Sequence, residues 1–148
     1  MYYFAYGSNM DPERMRERLG RLPERKAASL AGWILKFNKI ASRNPREGYA
    51  NIMQQNGAVT EGILYDITDA ETGKLDVKEG YPDHYNKVAL QVRLGNDTEV
   101  RAMTYVAQHD KVNDSLKPSR DYLRHLLADM EFLSEGYIRK LEAVETID

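Results

Sequence analysis

The chain has 148 residues, 42% of them apolar and 30% charged, with 21 basic against 23 acidic side chains and a formal charge of -2. That balance is too apolar for a disordered chain and too charged for a membrane-embedded one, and it lacks the basic excess of a typical nucleic-acid binder. Cysteine is absent, which excludes disulfides, thiolate nucleophiles and cysteine-ligated metal clusters.

No basic leader precedes an apolar stretch, and no apolar run approaches the ~20 residues that span a bilayer. A soluble cytoplasmic protein is therefore expected, folded as one domain over residues 1–148. Residues 2–6 read as a short strand that stops at Gly7, Ser8 and Asn9, a turn-forming trio. Asp11 and Pro12 then supply a cap and a first helical residue, with Met15 and Leu19 as the buried stripe and an end at Gly20 or Pro23.

Residues 26–38 are strand-like, with Leu30, Trp33, Leu35 and Phe37 around Gly32, and residues 39–48 read as a loop carrying Arg43 and Arg46. Strands are expected at 50–54 and 59–67, separated by a turn at Gln55, Asn56 and Gly57. Thr68 and Glu71 form a capping-box pattern for a short helix with Ala70, Leu75 and Val77 as its apolar contacts, ending near Glu79 and Gly80. Two more strands, 85–94 and 99–107, flank Gly95, Asn96 and Asp97. Pro118 and Ser119 open a helical region in which Tyr122, Leu123, Leu126, Leu127 and Met130 recur at helical spacing, and a second helix at 135–144 carries Tyr137, Ile138, Leu141 and Val144. These stripes are read as core. The whole is a mostly β domain with inserted helices.

The loop Tyr6, Gly7, Ser8, Asn9, Met10 joins a strand to a helix, where backbone amides can converge on an anion. It fits neither the phosphate-binding nor the dinucleotide-binding glycine pattern, and an ordinary tight turn remains the alternative. Glu79 lies at a helix C-terminus, where the dipole and any burial raise a carboxyl pKa toward that of a general base. A solvated helix-end glutamate is the simpler reading. Tyrosines number ten against three phenylalanines, and Tyr85 and Tyr105 fall in different strands where their hydroxyls could line a cleft. His84, His109 and His125 are neither clustered nor at metal-binding spacing, and Ser8 lacks a nucleophile-elbow context. Arg14, Arg16, Arg18, Arg21, Arg25 and Lys26 are interleaved with Glu13, Glu17 and Glu24, which reads as a solvated helix laced with ion pairs.

The ordered set Tyr3-Phe4-Ala5-Tyr6-Gly7-Ser8-Asn9-Met10, Ala50-Asn51-Ile52, Glu61-Gly62-Ile63-Leu64-Tyr65, Leu75-Asp76-Val77-Lys78-Glu79-Gly80, Tyr85, Tyr105, Pro118-Ser119 and Tyr122 resembles the gamma-glutamylcyclotransferase family, including its AIG2-like group. The resemblance covers nearly the full chain. It implies an α+β fold, a small mixed β-barrel with flanking helices and a cavity at one side. It further implies Glu79 as the catalytic acid/base and Tyr6, Gly7, Ser8, Asn9, Met10, Tyr85 and Tyr105 as substrate-binding residues. The implied reaction is attack of a substrate's own α-amine on its γ-glutamyl amide, releasing 5-oxoproline and an amine or amino acid. Neither metal nor other cofactor is required, because both reacting groups belong to one molecule. The implied partner is a small gamma-glutamyl substrate, not nucleic acid or membrane, and a homodimer is compatible with the resemblance.

Two other readings stay open: a non-catalytic gamma-glutamyl or carboxylate-binding module, and an amide hydrolase using water. The leaving half could be an amino acid, a peptide fragment or a small amine. The loop at 39–48, through Arg43, is the electrostatic candidate for contacting that half, with a merely solvated loop as the alternative.

Overall fold

The computed structural model describes residues 1–148. Five strands, β1 (Tyr2–Ala5), β2 (Arg25–Ile40), β3 (Gly48–Asp66), β4 (Tyr85–Leu94) and β5 (Glu99–Ala107), close into a barrel in the order β1-β3-β2-β4-β5. Every pairing is antiparallel except the seam, where β1 lies parallel to β5 at Tyr3 and Met103. Four α-helices flank it: α1 (Pro12–Leu19), α2 (Asp69–Glu79), α3 (Arg120–Leu126) and α4 (Glu135–Glu142). This is the mixed, barrel-like α+β architecture the sequence predicts.

Side-chain alternation along β1 divides the core in two. Phe4 and Tyr6 join Ala28, Leu30, Ile52, Leu64 and Val92 in a cluster drawn from strands and the residues beside them, which fills the barrel. Tyr3 and Ala5 join Ile63, Tyr65, Met15, Leu19, Leu75, Leu126 and Leu141 in the layer between barrel and helices. The helical stripes are therefore core, each large apolar side chain contributing about 1.5–3 kcal/mol on burial.

The caps follow the sequence closely. Asp11 accepts from the Glu13 amide, Pro12 occupies the first helical turn, and Gly20 closes α1 with a left-handed backbone. Thr68 and Glu71 form both halves of a capping box on α2. Gly80 ends α2 at φ 72°, and a Cβ there would come within 2.8 Å of the His84 ring. The helix thus stops directly after Glu79 because only glycine fits the turn.

Several expectations change. Residues 55–57 do not separate two strands: β3 runs through them, and the register shift between the pairs Ala31–Val59 and Trp33–Gln54 absorbs the turn residues as an irregularity opposite Gly32. The loop at 39–48 is shorter than expected, since Lys39 and Ile40 finish β2 and Gly48 begins β3. Ala70 and Val77 face solvent, and Glu71, Thr72 and Leu75 form the buried side of α2. Met130 lies beyond α3 in a 3-10 turn and is exposed.

The basic stretch is not a self-contained lattice of ion pairs. Arg16 does pair with Glu13, but Arg18 reaches Glu79, Arg21 reaches Glu71 and Arg25 reaches Asp129. The forked Arg21–Glu71 contact, at 2.6 and 2.7 Å, fastens the segment just after α1 to α2 and holds the Glu71 carboxyl down at about 2, the Arg21 hydrogen bonds being the main cause. A carboxyl depressed on folding stabilises above its ordinary value and loses that contribution as pH falls through its folded value. Glu71→Gln should therefore be less stable than the parent at neutral pH, with the gap closing between about 4.5 and about 2 in denaturant titrations.

Candidate functional site

The loop after β1 folds as a 3-10 turn over Ser8–Met10, held by Met10 N–H to Gly7 carbonyl at 3.0 Å and Asp11 N–H to Ser8 carbonyl at 3.1 Å. His125 Nδ1 meets Asp11 Oδ2 at 2.7 Å and ties α3 to the start of α1 beside this loop. Gly7 is tightly enclosed: a Cβ would stand 3.0 Å from the Ala50 Cβ and 3.3 Å from the Tyr122 hydroxyl, so both would have to shift to admit one. Its N–H has no acceptor within the protein.

This loop, the end of α2, β4, β5 and α3 converge on a recess lined by Tyr3, Tyr6, Gly7, Ser8, Asn9 and Glu79, with Tyr85, Tyr105, Tyr122 and Ala50 completing its wall. The recess itself is about 30 Å³. It opens past Ser8, Glu79, Tyr85 and Tyr122 into a vestibule of about 470 Å³.

Glu79 sits between the two, its side chain 17% exposed. Its Oε1 accepts from Asn9 Nδ2 at 2.9 Å and from Arg18 at 3.3 Å. Oε2 has no protein partner, yet it is not sealed from solvent, since the Tyr137 hydroxyl is the one fully buried side-chain polar atom without a partner. Burial raises the Glu79 carboxyl above its ordinary value, with Arg18, Asn9, Arg14 and Lys39 opposing the rise. The result is a half-anchored carboxyl with one oxygen fixed and the other free to exchange a proton.

The orientation of Asn9 is decided by chemistry. Arg18 has only donors and lies 2.7 Å from Asn9 Oδ1, so Nδ2 faces Glu79 and, at 2.8 Å, the Tyr3 hydroxyl. The tyrosines are walls and clamps more than free acids. Tyr6 donates to the Tyr105 carbonyl, Tyr85 to the Ala50 carbonyl at 3.0 Å and Tyr105 to Asp76 Oδ1 at 2.6 Å. The Tyr122 hydroxyl accepts from the Ala50 amide at 2.9 Å. Burial holds the pKa of Tyr3, Tyr6, Tyr85 and Tyr122 above the ordinary phenol value, so their rings stay neutral. Tyr3 and Tyr122 keep a phenolic proton with no acceptor in the protein, beside the free Gly7 N–H.

Seven of the eight sequence-selected residues, Tyr6, Gly7, Ser8, Asn9, Glu79, Tyr85 and Tyr105, line the recess together. Met10 does not: it is buried in the core between barrel and helices, where its backbone closes the turn. Arg43, with Ser42, borders the vestibule. Sequence reasoning missed the part played by Tyr3, Arg18, Lys39 and Tyr122. Arg18 had one signal: the residues three and four away are Arg14, Met15, Arg21 and Leu22, so no carboxylate on its own helix can pair with it.

Residues 3–124 match the family described as gamma-glutamyl cyclotransferase, AIG2-like. The chain belongs to this family of enzymes. The gamma-glutamylcyclotransferases of Mus musculus and Homo sapiens are each 26% identical to it, over 97% and 99% of this chain and 78% and 79% of theirs. A solved gamma-glutamyl cyclotransferase structure superposes with a TM-score of 0.87 at 24% identity, over 100% of this chain and 89% of that one. No helix is long and apolar enough to cross a membrane.

Proposed function

We propose that the chain cleaves a small gamma-glutamyl amide by intramolecular cyclisation, releasing 5-oxoproline and the amine or amino acid that carried the scissile nitrogen. The observation that carries this reading is the Glu79 carboxyl, anchored through Oε1 with Oε2 unpartnered at the edge of a donor-lined recess. Oε2 takes a proton from the substrate's α-ammonium, and the freed amine attacks the γ-carbonyl to close a five-membered ring. The protonated carboxyl gives that proton to the departing nitrogen as the C–N bond breaks, then takes the extra proton from the new ring nitrogen and passes it to the freed amine, so the products are a neutral lactam and an ammonium and Glu79 ends as it began. Joining nucleophile and electrophile in one substrate removes the entropy cost of bringing two molecules together, and the protein's task is to hold the folded conformer.

The developing oxygen charge needs donors. Donors of recess-lining residues that have no acceptor in the protein include the Gly7 N–H, the N–H and hydroxyl of Ser8 and the phenolic protons of Tyr3 and Tyr122, fixed on the fold before substrate arrives. A glutamyl group is larger than the 30 Å³ recess, so it would extend into the vestibule, leaving its amine partner farther out. Ser8, Tyr85 and Glu79, which border both spaces, would mark the passage between the two halves of the substrate.

The test is product identity. Mass spectrometry of incubations with gamma-glutamyl dipeptides and amines should find 5-oxoproline in stoichiometric amount with the free leaving group. Free glutamate in its place would mean hydrolysis by water, and binding of the same compounds without product would mean a non-catalytic module.

A further inference from the structure

Lys39 is an unusual lysine. It is the penultimate residue of β2 and only 3% exposed, yet its ammonium has no carboxylate within ion-pairing distance. Its partners are the Ile40 carbonyl at 2.7 Å and His84 Nδ1 at 3.0 Å, and it stands 5.5 Å and 5.9 Å from the ring centres of Tyr85 and Tyr49. An ammonium has three donors, and two are used. The neighbouring positive charge of Lys39, followed by burial, lowers the His84 pKa, which keeps that ring neutral and able to accept. Buried charges are ordinarily paired; burial lowers the Lys39 pKa, Glu79 opposes that from beyond contact distance, and one ammonium donor is left without an acceptor.

Lys39 lines the vestibule, and it is not alone there. Arg14, Arg43 and Lys78 line the same cavity, and none has a carboxylate within ion-pairing distance. The two carboxylates on that wall are already engaged, Glu79 by Arg18 and Asp121 by Arg124 at 2.8 Å. The vestibule therefore presents several positive charges with no carboxylate in contact, on the side where the proposed reaction puts the departing half of the substrate, and Lys39, beside Tyr85, is the most buried of them.

We infer that the vestibule is an anion subsite centred on Lys39, which selects gamma-glutamyl compounds by the negative charge of their leaving half, so that acidic amino acids are preferred to neutral ones and neutral ones to uncharged amides. The inference rests on the cyclotransferase reading for where the leaving half lies. Lys39 holds the carboxylate nearest the scissile nitrogen, and the exposed Arg43, with Arg14, draws in a second charge. A simple amine leaving group satisfies none of these cations.

A charge ladder tests it. Gamma-glutamyl-glutamate, gamma-glutamyl-glutamine and gamma-glutamyl-glutamine amide differ little in size while the leaving half carries two, one and no negative charges. Release of 5-oxoproline should rise in kcat/KM by about tenfold at the Lys39 step, the scale of one charge-assisted hydrogen bond. It should rise by a smaller, salt-sensitive factor at the second step, which involves the exposed Arg43 with the part-buried Arg14. Lys39→Met, which keeps the stem and removes the charge, should flatten the first step, and Arg43→Gln on the exposed loop should flatten the second. The same ladder read as affinity by calorimetry on Glu79→Gln separates recognition from reaction. Affinity rising with charge on Glu79→Gln, together with no 5-oxoproline from the parent protein on the same compounds, would sink the cyclotransferase reading and keep the anion subsite. A flat ladder in the parent protein, or one equally steep after Lys39→Met, would overturn the subsite while leaving the reaction standing.

Discussion

Glu79→Gln should lower 5-oxoproline turnover by at least ~100-fold, the cost of removing a positioned acid/base. The substitution is conservative where it needs to be, because a glutamine carbonyl oxygen can still accept from Asn9 and Arg18 at the Oε1 position. What it removes is an oxygen that can take and return a proton. The buried carboxyl is raised above its ordinary 4.5, so the acid limb of kcat/KM should lie above the usual glutamate range and vanish in the variant's residual rate. Stability has a matching sign. A carboxyl raised on folding favours the native state below its unfolded value, and that benefit is lost as pH rises through its folded value. Relative to Glu79→Gln, the parent should therefore lose stability as pH rises through that titration, which thermal melts across pH would show. Undiminished product from a folded variant would reject Glu79 as the base.

The second large effect belongs to Asn9→Leu. Asn9 is 2% exposed and uses its whole amide, donating to Glu79 and Tyr3 and accepting from Arg18. Leucine fills similar volume but deprives all three neighbours at once, each buried group left unsatisfied costing about 1–3 kcal/mol. Allowing for relaxation, a loss of ~2–5 kcal/mol in denaturant unfolding is expected. Turnover should fall by ~10-fold or more under conditions where the variant stays folded, because a loosened carboxyl no longer meets its proton donor in register. The two measurements are separable: full stability with lost turnover would make Asn9 purely a positioning residue, and the reverse would confine it to architecture.

What could be read from the sequence was what is encoded locally. The caps at Asp11, Thr68 and Ser119 and the ends of β4 and β5 depend on residues within a few positions of one another, and they fall where the pattern puts them. Gln55, Asn56 and Gly57 misled because turn-forming residues also suit an irregularity within a continuous ladder, and only the partner strand distinguishes the two uses. Ala70 and Val77 misled because α2 is short and its buried face includes Glu71 and Thr72, which no apolar pattern would nominate. The site divides along the same line. A glycine loop and a helix-end glutamate are visible as types, whereas the contacts of Asn9 with Glu79 and of Lys39 with His84 join residues 70 and 45 positions apart and leave no periodic trace. Met10, adjacent to the lining residues in sequence, turns the other way into the core.

The seam of the barrel gives this enzyme a particular order of completion. β1 is made first, but its neighbours are the far end of β3, through Tyr65, and β5, through Met103. Contacts so distant along the chain are slow to form because a long loop must close before they repay its entropy. The loop over Ser8–Met10 hangs from that strand, so the earliest-synthesised part of the site is walled in only by residues made much later. A nascent or truncated chain that ends before β5 already carries Glu79 yet has neither the Tyr105 wall nor the Tyr122 hydroxyl. Catalytic competence is accordingly a property of the finished barrel, and appearance of product during refolding would time the closing of its seam.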